Sequence, residues 1–269
     1  MTRNRTFGWL GLYAIFFVIV LYGPVLLLPL FSFNDSIYIV FPLKDFTTRW
    51  YGEMAANPAL LAALQTSVKL GLTVAVISTI FGLLAARAVT RYSLRGRRSV
   101  IGLIMLPLVV PSLTLGIALL VTLRMGIGIQ LSLWTIGAGH VLICLPFSMM
   151  VLVARLEGFD RSLEEASLDL GESGWSTFWR VTFPLALPGI VSSFLLSFTV
   201  SLDEFVIAFF LGGDDATLPL FIWSQLRFPA KLPGVLALGS CILTFSFIMV
   251  IIADIVRRRG LPSAKSSES

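Results

Sequence analysis

Six long, mostly apolar stretches decide what this chain can fold into. They run over about residues 7–33, 60–86, 100–123, 131–153, 189–211 and 235–256. About 20 residues of helix cross a hydrocarbon core of about 30 Å, so each stretch is long enough to span. With 57% hydrophobic and 13% charged residues in 269, and a mean hydropathy of +0.91, no single water-soluble core could hide this much apolar surface. The fold expected is an all-α membrane protein of six transmembrane helices.

The first stretch follows Arg3 and Arg5 and so starts like a signal peptide. It is too long for a signal core and has no small-residue cleavage site before Ser32, so it is expected to remain as the first span. Pro24 and Pro29 are expected to kink or end it. Residues 34–58 are too polar to span. Their aromatics, Tyr38, Phe41, Phe46, Trp50 and Tyr51 among them, suit the interface between lipid and water. The third span holds Pro107 and Pro111, and a short turn over residues 124–130 leads to the fourth. Cys144 and Cys241 lie in apolar runs, without redox or metal spacing, and are expected as small core residues. His140 is alone and cannot form a metal site by itself; helix contact is the expectation.

Loop charge sets the orientation, because short cytoplasmic loops carry the excess of Lys and Arg. With the N-terminus inside, the cytoplasmic set is Arg3, Arg5, Arg87, Arg91, Arg95, Arg97, Arg98, Arg155, Arg161, Arg180, Arg257, Arg258, Arg259 and Lys265. The outer set is Lys44, Arg49, Arg124, Arg227 and Lys231, with Lys69 inside a span. Fourteen against five puts both termini in the cytoplasm. The expected division is a cytoplasmic N-terminus over 1–6, a membrane domain over 7–256 and a cytoplasmic tail over 257–269, of which 261–269 read as disordered.

One polar stretch, LEEASLDLGESGWSTFWRVTFPLALPGI from Leu163 to Ile190, interrupts the apolar pattern within a loop of about 154–188. Glu164, Glu165, Asp169 and Glu172 lie on a segment of good helix formers. Gly171 is expected to break it, and Pro184 and Pro188 restart the chain where a first-turn proline costs little. The pattern expected is helix, glycine turn, short amphipathic helix, then membrane. Trp175, Phe178, Trp179, Val181 and Phe183 would form the apolar face of the second helix. An amphipathic helix lying on the bilayer would be rich in Lys and Arg, and the first half of this stretch is mainly acidic.

The spacing Glu165-Ala166-Ser167, three residues, Gly171, nine residues, Val181-Thr182-Phe183-Pro184 resembles the EAA loop of bacterial ABC-transporter permeases. Ser for the third residue, Val for Ile and Phe for Leu are departures; the gaps are intact. The resemblance implies that Glu164, Glu165, Ala166, Ser167, Asp169 and Gly171 form the coupling helix that docks on a cytoplasmic ATPase. It places the chain in the bacterial inner membrane, together with a second permease, two ATPases and a periplasmic binding protein. The chain itself has no phosphate loop G-x-x-x-x-G-K-[ST], so ATP and Mg would be bound by the partner ATPase. No cofactor, metal site or catalytic constellation is read in this chain, and nucleic acid is not implied by its net charge of +5.

The fifth stretch contains Asp203 and Glu204 between apolar neighbours. Such groups are costly against lipid and are expected to face a bundle interior, a water-filled path or a partner. Adjacent helical residues point about 100° apart. The pair therefore splits readily between a cargo-binding role and a structural one, with Lys69 or a hydroxyl as possible structural partners. The segment SLDEFVIAFFLGG, the segment FSFNDS and the overall length resemble the second permease subunit of spermidine/putrescine importers. That resemblance implies a polyamine cargo, for which carboxylates and aromatic faces suit ammonium groups. Tyr38, Phe205, Phe209, Phe210 and Trp223 are the aromatic candidates. Importers for opines, aminoethylphosphonate, thiamine or ferric iron share the architecture and remain alternatives. Two rivals fit less well. An ion-coupled transporter would show internal repeats, and a membrane enzyme would show a reactive cluster.

Overall fold

The structure, a computed structural model, describes residues 8–93 and 95–259; beyond Ile248, side chains are described only at Ile251. The described chain is built from helices, and its β-pairing consists of one isolated antiparallel bridge between Asn34 and Phe46. The helices are α1 Trp9–Ser32, α2 Arg49–Ala55, α3 Pro58–Arg91, α4 Arg97–Val109, α5 Ser112–Leu120, α6 Leu133–Glu157, α7 Ser162–Asp169, α8 Gly174–Thr177, α9 Phe183–Asp203, α10 Val206–Leu211, α11 Leu218–Gln225 and α12 Leu232–Arg259. Arg3, Arg5 and Lys265 of the charge pattern, and the 261–269 tail, lie outside the described residues.

Among the described residues, five helices are long and apolar enough to cross a membrane: Trp9–Ser32, Pro58–Arg91, Leu133–Glu157, Gly174–Asp203 and Pro229–Ile248. The bent pair Arg97–Val109 and Ser112–Ile127 brings the number to six where its two halves count as one span. This pair corrects the expectation of one continuous third span. Val110 precedes Pro111 and is extended, with ψ 128°, as steric crowding before a proline requires. The two halves consequently meet at 101°. The expected turn at 124–130 is in part a π-helical stretch, Val121–Ile127. Pro24 and Pro29 do not end α1, which continues through both to Ser32.

The helices fall into two units. In the first, up to Pro58 and from Ile222 onward, α1 and α2 pack on α12. The Tyr51 hydroxyl joins them, lying 2.6 Å from Ser32 Oγ and 3.3 Å from Ser240 Oγ. Between α1 and α2, Trp50 Nε1 donates to the Asn34 carbonyl at 2.9 Å, and Arg49 pairs with Asp35 at 2.8 Å. Cys241 is exposed on α12, not in a core as expected, whereas Cys144 is buried.

In the second unit, residues 59–221, α6 and α9 are neighbours along their length. They run antiparallel, and polar residues recur every fourth position on both facing sides, which returns them to one stripe of each helix. His140 Nδ1 lies 2.9 Å from Ser201 Oγ, Cys144 Sγ donates to the Ser197 carbonyl at 3.6 Å, and Ser148 Oγ lies 2.8 Å from Ser197 Oγ. Small residues let membrane helices approach and hydrogen bonds tie them together. Gly82 brings α3 onto α6 in the same way, since a Cβ there would stand 2.6 Å from Ser148 Cβ. Leu70, Val74, Ile136, Ile207 and Leu211 fill the core nearby.

Candidate functional site

The polar stretch folds as its local chemistry dictates. Asp160 Oδ1 accepts the Ser162 N–H at 3.0 Å at the start of α7, and that donor holds the exposed Asp160 carboxyl below its usual range. Gly171 ends the helix with φ +87°, and a Cβ there would meet nothing within 4 Å. The requirement for glycine is therefore conformational, not steric. Ser173 then caps α8, accepting the Ser176 N–H at 3.2 Å. The second helix does not stop before the membrane: α8 passes through a π-helical turn, Phe178–Thr182, directly into α9. The fifth span therefore starts well before Gly189, with Pro184 in the first turn of α9 and Pro188 inside the helix. Of the expected apolar face, Phe178 is buried, while Trp175 is 69% and Trp179 47% exposed.

The two glutamates of α7 point different ways. Glu165, Ala166 and Asp169 are exposed. Glu164 turns inward, its side chain 13% exposed, and pairs with Arg91 at the end of α3 at 2.7 Å. It also accepts from Thr182 Oγ1 at 2.5 Å. Ser167 Oγ lies 3.0 Å from Thr177 Oγ1, which joins α7 to α8. Arg91 further donates to the Leu156 carbonyl at 3.0 Å and covers the Phe159 ring at 4.8 Å. Arg161 donates to the Thr90 carbonyl, and Arg87 lies over Phe178 at 4.6 Å. Removing one partner of a pair this buried costs about 3–5 kcal/mol. In the sequence these arginines counted only toward orientation, because Arg91 and Glu164 are far apart in the chain and no local spacing links them.

The second constellation lies where the fifth span breaks. α9 ends at Asp203, and Glu204 is extended at ψ 109°. The expected continuous span to Leu211 is thus two helices, α9 and α10. The break separates the two carboxylates. Glu204 Oε1 accepts the N–H groups of Val206 and Ile207 at 2.9 and 3.1 Å, capping α10. Asp203 is exposed, and it forms no ion pair among the described residues. The suggested pairing with Lys69 does not occur; Lys69 lines an apolar cavity of about 460 Å³ with Trp134, Leu133 and Val141. Beside the break, Phe205 and Phe209 lie 5.6 Å apart and Phe209 meets Phe210 edge-on at 5.4 Å. Tyr38 and Trp223 belong to the other unit. Tyr38 is 61% exposed, and Trp223 lies under the Arg227 guanidinium at 5.9 Å.

A family of binding-protein-dependent transport system inner membrane components matches residues 78–260. The chain belongs to this family. This permease is 36% identical over 239 residues to the spermidine/putrescine transport system permease protein PotC of Escherichia coli strain K12, covering 88% of this chain and 89% of the relative. It is 37% identical over 230 residues to the putrescine transport system permease protein PotI of the same strain, covering 83% and 81%. In fold the permease resembles a chain of a bacterial ABC transporter for the acidic polysaccharide alginate, with TM-score 0.70, 16% identity and 94% of both chains covered. The helices of the permease thus belong to an inner-membrane transport component, and the inward Glu164 and the α9–α10 break are features of that frame.

Proposed function

We propose that this permease moves a polyamine into the cytoplasm as one subunit of an ATP-driven importer. Its partners are a second permease, two cytoplasmic ATPases and a periplasmic binding protein, with ATP and Mg held by the ATPases. Both termini and α7 face the cytoplasm, as the fourteen-to-five bias of cations favours. Glu165, Ala166 and Asp169 form the docking face of the coupling helix, Gly171 sets its end, and Glu164 and Ser167 fix its inner side. ATP binding draws the ATPases together, α7 moves with them, and the bundle alternates between inward and outward access.

The observation that carries the cargo is Asp203 at a helix break, in a chain whose relatives named above are polyamine permeases. A helix C-terminus carries partial negative charge, and broken helices at membrane depth use such ends to hold cations. A carboxylate beside it, next to the Phe205–Phe209 pair, suits a flexible chain of ammonium groups. Glu204 is occupied as a cap and takes no direct part.

Uptake of radiolabelled putrescine and spermidine by cells carrying the whole operon, with and without this subunit, tests the proposal. Uptake that depends on the subunit is expected. Unchanged uptake without it, or a complex that assembles and hydrolyses ATP but moves neither polyamine, overturns the cargo assignment.

A further inference from the structure

We propose that the Arg91–Glu164 ion pair is a strut that carries displacement of α7 into three membrane helices at once, so that breaking it separates ATP hydrolysis from transport. The inference rests on α7 being the coupling helix. Glu164 stands one residue before the Glu165-Ala166-Ser167 motif, and the rotation of about 100° per residue turns it from the exposed face to the inner one.

One carboxylate and one guanidinium then meet four elements. Glu164 Oε2 holds Arg91 Nε, at the last residue of α3, at 2.7 Å. Its Oε1 holds Thr182 in the π-helical turn that opens α9. The same guanidinium bonds the Leu156 carbonyl at the end of α6 at 3.0 Å and covers Phe159. Arg161, just ahead of α7, adds a second tie to α3 through the Thr90 carbonyl. At 10% and 13% side-chain exposure the two charges of the ion pair are poorly screened. α7 therefore cannot shift without moving the ends of α3, α6 and α9. A pair serving only to stabilise the loop would not need a contact to each span.

The test uses the whole complex with its binding protein in proteoliposomes and putrescine as solute. Glu164→Gln keeps an acceptor for Thr182 and loses the charge; Arg91→Lys keeps the charge and loses the fork. Both are expected to assemble and hydrolyse ATP, while putrescine moved per ATP falls by roughly tenfold or more, as truncating a buried charge pair allows. The exchanged pair Arg91→Glu with Glu164→Arg restores the ion pair but not the bonds to Leu156 and Thr182, and is expected to recover only part of the loss. A second readout does not depend on cargo: spin labels at exposed Val76 on α3 and Leu195 on α9 change separation on ATP binding in the unmodified complex and not in Glu164→Gln.

A normal transport ratio and a normal label shift in both single variants overturn the strut. Loss of assembly in all three variants assigns the pair to stability alone and also overturns it. Glu165→Lys, on the exposed face, separates the two ideas. If it uncouples while Glu164→Gln does not, the coupling helix stands and the strut falls; if only Glu164→Gln uncouples, the docking face falls instead.

Discussion

Glu204 accepts the Val206 N–H at 2.9 Å, and this bond divides two neighbouring carboxylates into different roles. A capping side chain contributes about 1 kcal/mol, so Glu204→Ala lowers stability by about that much. Thermal unfolding of the purified complex reads this loss, and the KM for putrescine stays near its starting value.

Asp203→Asn reverses the pattern. Losing a charge-assisted bond to an ammonium group costs about 1.5–3 kcal/mol, which raises KM by roughly 10- to 100-fold while the melting temperature holds. Uptake at graded putrescine concentrations separates the outcomes. A complex that falls apart would make Asp203 structural.

At Gly171 the backbone is left-handed and the space around it is empty. A β-branched side chain there costs about 1–2 kcal/mol, whereas asparagine visits this conformation readily. Binding-protein-stimulated ATPase activity is therefore expected to survive in Gly171→Asn and to fall in Gly171→Val. Equal activity in the two variants would remove the conformational explanation.

Gly82 is a steric case. Its added methyl would overlap Ser148 Cβ, and overpacking of this kind costs about 1–3 kcal/mol. Gly82→Ala lowers the melting temperature, and Gly82→Ala with Ser148→Gly recovers part of it. No recovery in the double variant would mean that α3 and α6 are not in direct contact there.

The polar stripe between α6 and α9 should be modest in energy. Interhelical hydrogen bonds in membranes average about 0.6 kcal/mol, so Ser197→Ala, which removes the contact with Ser148, is expected to cost less than about 1 kcal/mol. A much larger loss by chemical denaturation would make the stripe a principal source of stability.

The spans were legible because hydropathy is an average over about 20 residues, and the same averaging hid their breaks. Residues 100–123 read as one apolar run, although the extended Val110 bends it by 101°. Gly171 was legible, since one residue type answers one backbone need. The role of Glu204 was not, because a cap exists only relative to a helix start, and the run from Gly189 to Leu211 shows none. The Arg91–Glu164 pair was invisible for a different reason. Ion pairing between distant segments leaves no periodicity, so the sequence showed two charges on one side of the membrane and not their meeting.

The π-helical turn at Phe178–Thr182 makes chain length between α8 and α9 matter as well as residue identity. Such a turn holds one residue more than an α-helical turn. Deleting one of its residues would close it to an ordinary α-helical turn, and the local bulge in which Thr182 meets Glu164 would be lost. Substitutions should therefore be tolerated more readily at exposed Trp179 and Arg180 than at buried Phe178 and Thr182, and deletions across the turn should be selected against.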